Sequence, residues 1–244
     1  MDYFALAAAP GIAICIYIFY KDIYNREPAF NLIISFVLGC LAIIPAIALE
    51  KAFAPLAVDG TRVGVAIFAF GVVGFTEEFC KFAGLRLYAY RQKSFDEPLD
   101  GIVYSLMVSM GFATVENIMY VYKFAQYGMG YQVAFQRMFL SVPAHATFAV
   151  IMGYFVGKAK FDRPRSFMLL LGGLLAATFF HGLYDFFLFV KQYSFVDQEA
   201  SDLLLLGGAI VSLVVALVLS KRLIRQHRNL SAELFKKENT NISV

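Results

Sequence analysis

Polar and ionisable side chains that interrupt long apolar stretches are the residues of this sequence best suited to chemistry. They lie in four such stretches: Glu77, Glu78 and Lys81 in the first, Glu116 and Asn117 in the second, His145 in the third, and His181 and Asp185 in the fourth. A charged side chain at the centre of a membrane helix costs at least about 2.5–3.5 kcal/mol on insertion scales. Because lipid would reject these groups, they should all turn inward, which predicts one convergent interior site.

The spacing of these residues indicates how they pair. Glu77 and Lys81 are four positions apart, so on a helix they share a face and can form an ion pair. Glu78 points to another side of the same helix, and we expect it to be available for a separate role. His181 and Asp185 are also four apart, so the carboxylate can hold the imidazole and fix its tautomer.

Together these groups could hydrolyse a peptide bond. That reaction needs an activated water, a group that stabilises the oxyanion and a proton donor for the leaving amine. A buried glutamate can serve as the base, and His145 and His181 can donate to an oxyanion or bind a metal. With Glu77 or Glu78, or with Glu116, they would complete a zinc-type ligand set with one open position. No HExxH sequence is present, so metal-assisted and metal-free glutamate chemistry both stay open.

Each residue also has a structural explanation when it is considered alone. A buried acid in a bundle often makes only a helix–helix hydrogen bond. The Glu77–Lys81 pair could be a structural ion pair, and Asn117 and Asp185 could bridge helices. The number and variety of groups on four stretches favour a functional site instead. His227 lies in a basic segment near the end of the chain, and we expect it to be solvated and without a role.

Composition places the chain among membrane proteins. Apolar residues make up 60% of the 244 residues and charged residues 16%, whereas soluble domains have about 45–50% and about 25%. The apolar residues form blocks of about 20, enough for a helix to cross the hydrocarbon core. Strands of about ten alternating residues, as in membrane barrels, are not visible. Since lipid offers backbone groups no hydrogen-bond partners, the blocks should be helices.

The fold class predicted is therefore an all-α, polytopic transmembrane bundle of seven helices. The expected spans are approximately 3–20, 29–49, 63–88, 101–122, 133–157, 166–190 and 203–220. The first block carries an acid and no basic residue before its apolar run, so we interpret it as a helix and not as a cleaved signal peptide. Residues 1–220 should form one domain, and 221–244 a basic cytoplasmic tail that either extends the last helix or lies on the membrane surface.

The distribution of Lys and Arg predicts the orientation of the bundle. With the N-terminus outside and seven spans, most basic residues fall on the inner side, as the positive-inside rule requires. The C-terminus is then cytoplasmic. The outer side would hold only Lys51, Arg62, Lys123, Arg137 and Lys191.

Neither the cysteines nor the net charge indicates a further partner. Cys15, Cys40 and Cys80 each lie inside an apolar block, which is typical of packing and not of a disulfide framework or a metal site. A formal net charge of +3 is too small to suggest nucleic acid.

Four segments together resemble the PrsW family of intramembrane proteases, distant relatives of the type II CAAX prenyl endopeptidases. They are GFTEEFCKF, DGIVYSLMVSMGFATVEN, SVPAHATF and HGLYD, and the resemblance extends over approximately residues 70 to 190. The resemblance implies that the catalytic residues are Glu77, Glu78, Glu116, His145 and His181. It implies supporting roles for Lys81, Asn117 and Asp185. If a metal such as Zn²⁺ is bound, the expected ligands are His145, His181, Glu116 and Glu78.

The resemblance also implies a class of substrate. The prenyl endopeptidases have a histidine where this chain has Glu116 and an asparagine where it has Asp185, which argues against a CAAX-type substrate. We expect instead cleavage of a single-pass membrane protein, such as an anti-sigma factor, on the outer side of a bacterial cytoplasmic membrane. Depth counted along the helices places the site near mid-membrane, nearer the outer face.

Two other functions fit parts of the pattern. Acid and histidine residues inside a membrane also mark ion pathways, so a proton-coupled transporter or channel is an alternative. That function predicts paired broken helices in matching halves of the chain, and the sequence shows no such symmetry. A non-catalytic membrane scaffold of the same fold is the other alternative, although the full set of polar residues argues against it.

Overall fold

The computed structural model describes residues 2–21, 25–57, 59–193 and 202–242, and it contains no β-strand in these ranges. Nine α-helices occur within the described residues: α1 Tyr3–Lys21, α2 Ala29–Ala57, α3 Arg62–Ala66, α4 Phe75–Leu87, α5 Pro98–Ala125, α6 Gly130–Phe139, α7 Ser141–Phe161, α8 Ser166–Tyr193 and α9 Asp202–Ile242. A π-helical segment, Ile67–Gly74, joins α3 to α4, and short 3₁₀ turns occupy Ala89–Arg91 and Arg163–Arg165.

Among the described residues, seven helical segments are long and apolar enough to cross a membrane. This confirms the predicted all-α bundle of seven spans. Two of the spans are composite, since α3, the π-helical segment and α4 form one, and α6 and α7 form another. Two helices are longer than predicted: α2 continues to Ala57, past Glu50 and Lys51, and α9 continues to Ile242. The apolar pattern marks where lipid ends, and a helix can continue beyond that point.

Helix α5 is the centre of the bundle and is buried along most of its length. It packs against α1, α2 and α7. Glycines permit this close approach: a Cβ atom at Gly101 would collide with the backbone of α7 at Gly153, and one at Gly111 with the backbone of α2 at Phe36. Small residues of this kind bring membrane helices together because they let the backbones touch. Residues on α5 are thereby held firmly against those on α7.

The π-helical segment brings the third span against α8. A Cβ atom at Gly74 would lie 3.1 Å from the backbone nitrogen of Gly182, and one at Gly182 would meet the ring and backbone of Phe70. Wide turns of this type are uncommon and occur frequently at functional sites. The contact places His181, which precedes Gly182, beside the first turn of α4.

The fifth span breaks between α6 and α7 at Leu140, whose φ and ψ are −115° and −68°. Pro143 lies in the first turn of α7, where the missing N–H of proline has no helical partner to lose. Arg137 lies on α6 just before this break, and its side chain is only 12% exposed.

The prediction for His227 was wrong. Its side chain is buried and stacks on Tyr154 of α7, with 4.3 Å between the ring centroids. The sequence pattern missed this because α9 does not stop where its apolar residues end, and so it continues to pack along α7. The three cysteines have free thiols and lie within helices, as expected for packing residues.

Candidate active site

The structure brings together all five predicted catalytic residues and their predicted partners. Helix α4 supplies the two glutamates and Lys81, α5 supplies Glu116 and Asn117, α7 supplies His145, and α8 supplies His181 and Asp185. The side chains of these residues are buried, apart from Glu116, whose side chain is 16% exposed. The four helices predicted from the sequence to converge on one site therefore do so.

Lys81 lies at the centre of the cluster. Its Nζ atom donates to Glu77 Oε2 at 3.1 Å and to Glu78 Oε1 at 2.8 Å, and it lies 3.1 Å from Nδ1 of His145. It also lies over the ring of Phe112, 4.2 Å from the centroid. The Glu77–Lys81 pairing is as predicted, but Glu78, which was expected to be free of Lys81, pairs with it as well. Residues three apart on a helix also meet, and Lys81 reaches both glutamates.

A carboxylate contacts one nitrogen of each imidazole. Nε2 of His145 is 2.8 Å from Oε2 of Glu116, and Nδ1 of His181 is 2.9 Å from Oε1 of Glu78. Such contacts fix the orientation and tautomer of a histidine and are typical of histidines that bind metal through the other nitrogen. Glu78 and Glu116, which were predicted as metal ligands, make these two contacts.

The second nitrogen of His181 is in an acidic environment. It lies 3.3 Å from Oδ2 of Asp185 and 3.8 Å from Oε2 of Glu77. If Nδ1–H is donated to Glu78, a bare Nε2 lone pair would face two further carboxylates. Such a lone pair needs a donor or a cation, and a second proton on the ring, a protonated carboxyl group of Asp185 or Glu77, or a metal ion would each supply one.

Glu77, His145 and His181 form a group that could hold a metal ion. Each offers one ligand atom, these atoms lie within 4.8 Å of one another, and all three residues are buried. Three protein ligands with a remaining open position are the usual arrangement of a catalytic metal. The donor types and the carboxylates behind both imidazoles fit a metal ion. This group contains both histidines of the ligand set predicted from the sequence resemblance, but its carboxylate is that of Glu77 and not that of Glu78 or Glu116.

Arg137 is a further site residue that the sequence analysis did not identify. Its Nη2 atom is 2.7 Å from Oε2 of Glu116, its Nε–H donates to Oδ1 of Asn117 at 2.9 Å, and its guanidinium lies 4.2 Å from the ring centroid of Tyr120. We had assigned Arg137 to the outer flank of the fifth span. Arg137 lies inside the expected span 133–157, eight residues before His145, and a charged residue at that position could have been recognised as a candidate.

A cavity of about 600 Å³ leads to the site and is lined by Glu77, Glu116, His145, His181 and Asp185. Its other walls are largely apolar and come from α2, α5, α8 and the π-helical segment. Since His145 lies in the second turn of α7, and Glu116 in the last third of α5, the site is nearer the membrane face that carries the N-terminus. That this face is the outer one remains a prediction.

Comparison with known proteins places this architecture in a family. The family model described as PrsW family intramembrane metalloprotease matches residues 27–220 of the chain. The chain belongs to the PrsW family. Proteins named Protease PrsW are similar to it: that of Geobacillus kaustophilus is 39% identical over 75% of this chain and 78% of its own length, and that of Bacillus subtilis is 40% identical over 74% and 79%. A third, from Clostridioides difficile, is 33% identical over 78% and 81%. No solved structure matches this chain.

Membership of the PrsW family decides the general activity. The protein is an intramembrane protease and an integral membrane protein of the bacterial type, and its substrate is a protein embedded in the lipid bilayer. The alternative function of a transporter or channel is not favoured. The family is described as one of metalloproteases, in agreement with the group formed by Glu77, His145 and His181.

Proposed function

We propose that this protein cleaves single-pass membrane proteins, such as an anti-sigma factor, near the outer face of the membrane. The observation that supports this most directly is the buried Glu77–His145–His181 group at the end of a cavity inside a seven-span bundle. The cavity approaches the face that carries the N-terminus, and the distribution of basic residues assigns this face to the outside.

In a metal-free mechanism, Glu77 is our candidate for the carboxylate that acts on the attacking water. Of the two neighbouring glutamates on α4, Glu77 lines the cavity and Glu78 does not. A general base must be within reach of the water whose proton it removes, so access to the cavity separates the two carboxylates. Glu78 then has a positioning role, since it holds both Lys81 and His181.

A metal, which we propose is Zn²⁺, would be held by Glu77, His145 and His181. When bound, it would polarise the scissile carbonyl and make the attacking water more acidic. Histidine and carboxylate ligands with one open position suit zinc.

In a metal-free mechanism, His181 is our candidate for the residue that guides the proton to the leaving amine. It lines the cavity, and Glu78 and Asp185 hold its two nitrogens from opposite sides. Lys81 supplies a fixed positive charge close to both histidines and the glutamates, which stabilises negative charge that develops during attack on the carbonyl.

The experiment that tests this function is cleavage of tagged single-pass proteins in liposomes that contain the full-length chain. Wild type, Glu77→Gln and the surface control Glu233→Gln would be compared, each with and without a strong chelator. We expect wild type and the control to cleave and Glu77→Gln to be inactive. Equal cleavage by wild type and Glu77→Gln would refute the assignment of the site. Cleavage that a chelator does not reduce would support the metal-free glutamate mechanism instead.

A further inference from the structure

We propose that Arg137 is a positioning residue of this protease, which acts through Glu116 to fix the orientation and tautomer of His145. The inference rests on the proposed function, because it assigns His145 to the reaction centre. Three observations carry it: the burial of Arg137, the oxygen atom of Glu116 that it shares with His145, and the position of the remaining histidine nitrogen.

A buried arginine in a membrane-spanning segment needs a specific partner. The side chain of Arg137 is 12% exposed, and an unpaired charge placed there would be strongly unfavourable. Its planar group binds Glu116 and Asn117 on neighbouring positions of α5 and stacks on Tyr120, one turn further along the same helix. A guanidinium suits these contacts because its donors form a rigid fork, whereas a lysine offers a single point charge.

The ion pair acts on His145 because one oxygen atom serves both. Oε2 of Glu116 lies 2.7 Å from Nη2 of Arg137 and 2.8 Å from Nε2 of His145. Arginine does not lose its proton in proteins, so Glu116 faces it as a carboxylate, which can only accept. The hydrogen in the second bond must therefore come from Nε2–H of His145.

Fixing Nε2–H leaves Nδ1 as the acceptor of the ring. Nδ1 lies 3.1 Å from Nζ of Lys81, which is a donor, so both contacts of His145 agree with one tautomer. The same lone pair is the one that would bind a metal, so a bound metal would take the place of the Lys81 contact. Without the charge of Arg137, Glu116 would lose its fixed partner, and nothing else described on α6 would hold it against the imidazole.

A purely structural role for Arg137 makes different predictions. Through Asn117, whose amide donates to the backbone oxygen of Ala7 at 2.7 Å, Arg137 could simply tie α6 to α5 and α1. In that case its loss would lower stability and substrate affinity but leave the tautomer of His145 unchanged. The two roles are separable because the chain has only three histidines, and their ring signals can be assigned by substitution.

The first test is ¹⁵N NMR of the full-length protein labelled at histidine, comparing wild type, Arg137→Gln and the surface control Arg225→Gln. His145→Asn and His227→Asn assign the signals. We expect a single Nε2–H form of His145 in wild type and in the control. In Arg137→Gln we expect a shifted or averaged signal of His145, with that of His227 unchanged. Identical signals of His145 in all three proteins would overturn the proposal, whether or not a substrate is cleaved.

The second test is a double-mutant cycle on cleavage, with thermal unfolding measured in parallel. We expect Arg137→Gln to lower kcat about 10–100-fold, the effect typical of removing a residue that orients a metal ligand, with KM changed less than about threefold. Arg137→Lys should restore part of the loss. Arg137→Gln added to Glu116→Gln should lower kcat no further. Additive losses, or a loss confined to KM and unfolding temperature, would contradict the proposal. Failure of wild type to cleave any of the single-pass substrates would instead refute the proposed function, and the NMR result for His145 does not depend on that outcome.

Discussion

The imidazole rings of His145 and His181 lie 5.2 Å apart between centroids and are nearly perpendicular, at 89°. They come from different spans, α7 and α8, and each has a carboxylate behind it: Glu116 for the first and Glu78 for the second. Two oriented histidines with Glu77 within 4.8 Å of both form a more specific arrangement than a set of helix–helix hydrogen bonds requires.

Substitution of the two paired glutamates should separate chemistry from stability. We expect Glu77→Gln to lower kcat about 10²–10⁴-fold, because Glu77 is the one that reaches the cavity, and to destabilise the protein less than Glu78→Gln, because Lys81 keeps its shorter pair with Glu78. Glu78→Gln should lower kcat and also destabilise the protein, since breaking a buried ion pair costs about 3–5 kcal/mol. Cleavage assays and thermal unfolding in the same detergent check both variants. A stable and fully active Glu78→Gln would contradict the positioning role of Glu78.

Metal binding should depend on Glu77, His145 and His181, the three residues whose ligand atoms lie together. We expect His145→Asn, His181→Asn and Glu77→Gln each to abolish metal binding by the purified protein, measured by elemental analysis. Glu116→Gln should keep the metal with affinity about 10–100-fold weaker, because it removes only the group behind His145. Equal loss of metal in Glu116→Gln would show that Glu116 is itself a ligand, as the sequence resemblance implied. A wild type that contains no metal, even after Zn²⁺ is added, would contradict the metal site.

The main features of this fold were readable from the sequence because lipid imposes them. Blocks of apolar residues gave the seven spans, and polar residues inside four of them gave the members of the site. The roles of Glu78 and Arg137 were not readable. They depend on whether Lys81 reaches one glutamate or two, and on the packing of α6 against α5, which brings Arg137 to Glu116 and Asn117. His227 was misjudged because burial of a polar residue against Tyr154 depends on how far α9 continues, which the apolar pattern does not record.

The close contact between the π-helical segment and α8 should be as sensitive as the site itself. A Cβ atom at Gly182 would lie 2.7 Å from the Cα atom of Phe70, so Gly182→Ala must push the helices apart and move His181. We expect a loss of about 1–3 kcal/mol in stability from overpacking and a decrease of at least about tenfold in cleavage. Gly172→Ala on the same helix is the matched control, since a Cβ atom there meets nothing within 4 Å. Equal behaviour of the two variants would show that this contact does not position His181.

The orientation of the bundle can be tested independently of activity. In a background with Cys15, Cys40 and Cys80 replaced by serine, Tyr127→Cys places one thiol in the connection between α5 and α6. Arg163→Cys places one on the opposite face. Since Lys and Arg concentrate on the face of Arg163, we expect a membrane-impermeant maleimide to label position 127 in intact cells, and position 163 only after permeabilisation.

The reverse labelling pattern would have a direct consequence for function. The cavity and its catalytic residues lie nearer the face of position 127, so this face determines on which side the substrate is cut. If position 163 were the one labelled in intact cells, the cavity would approach the cytoplasm, and an extracytoplasmic cut in an anti-sigma factor would be excluded. Labelling at position 127 alone would place the candidate base, Glu77, where an outer-side cleavage requires it.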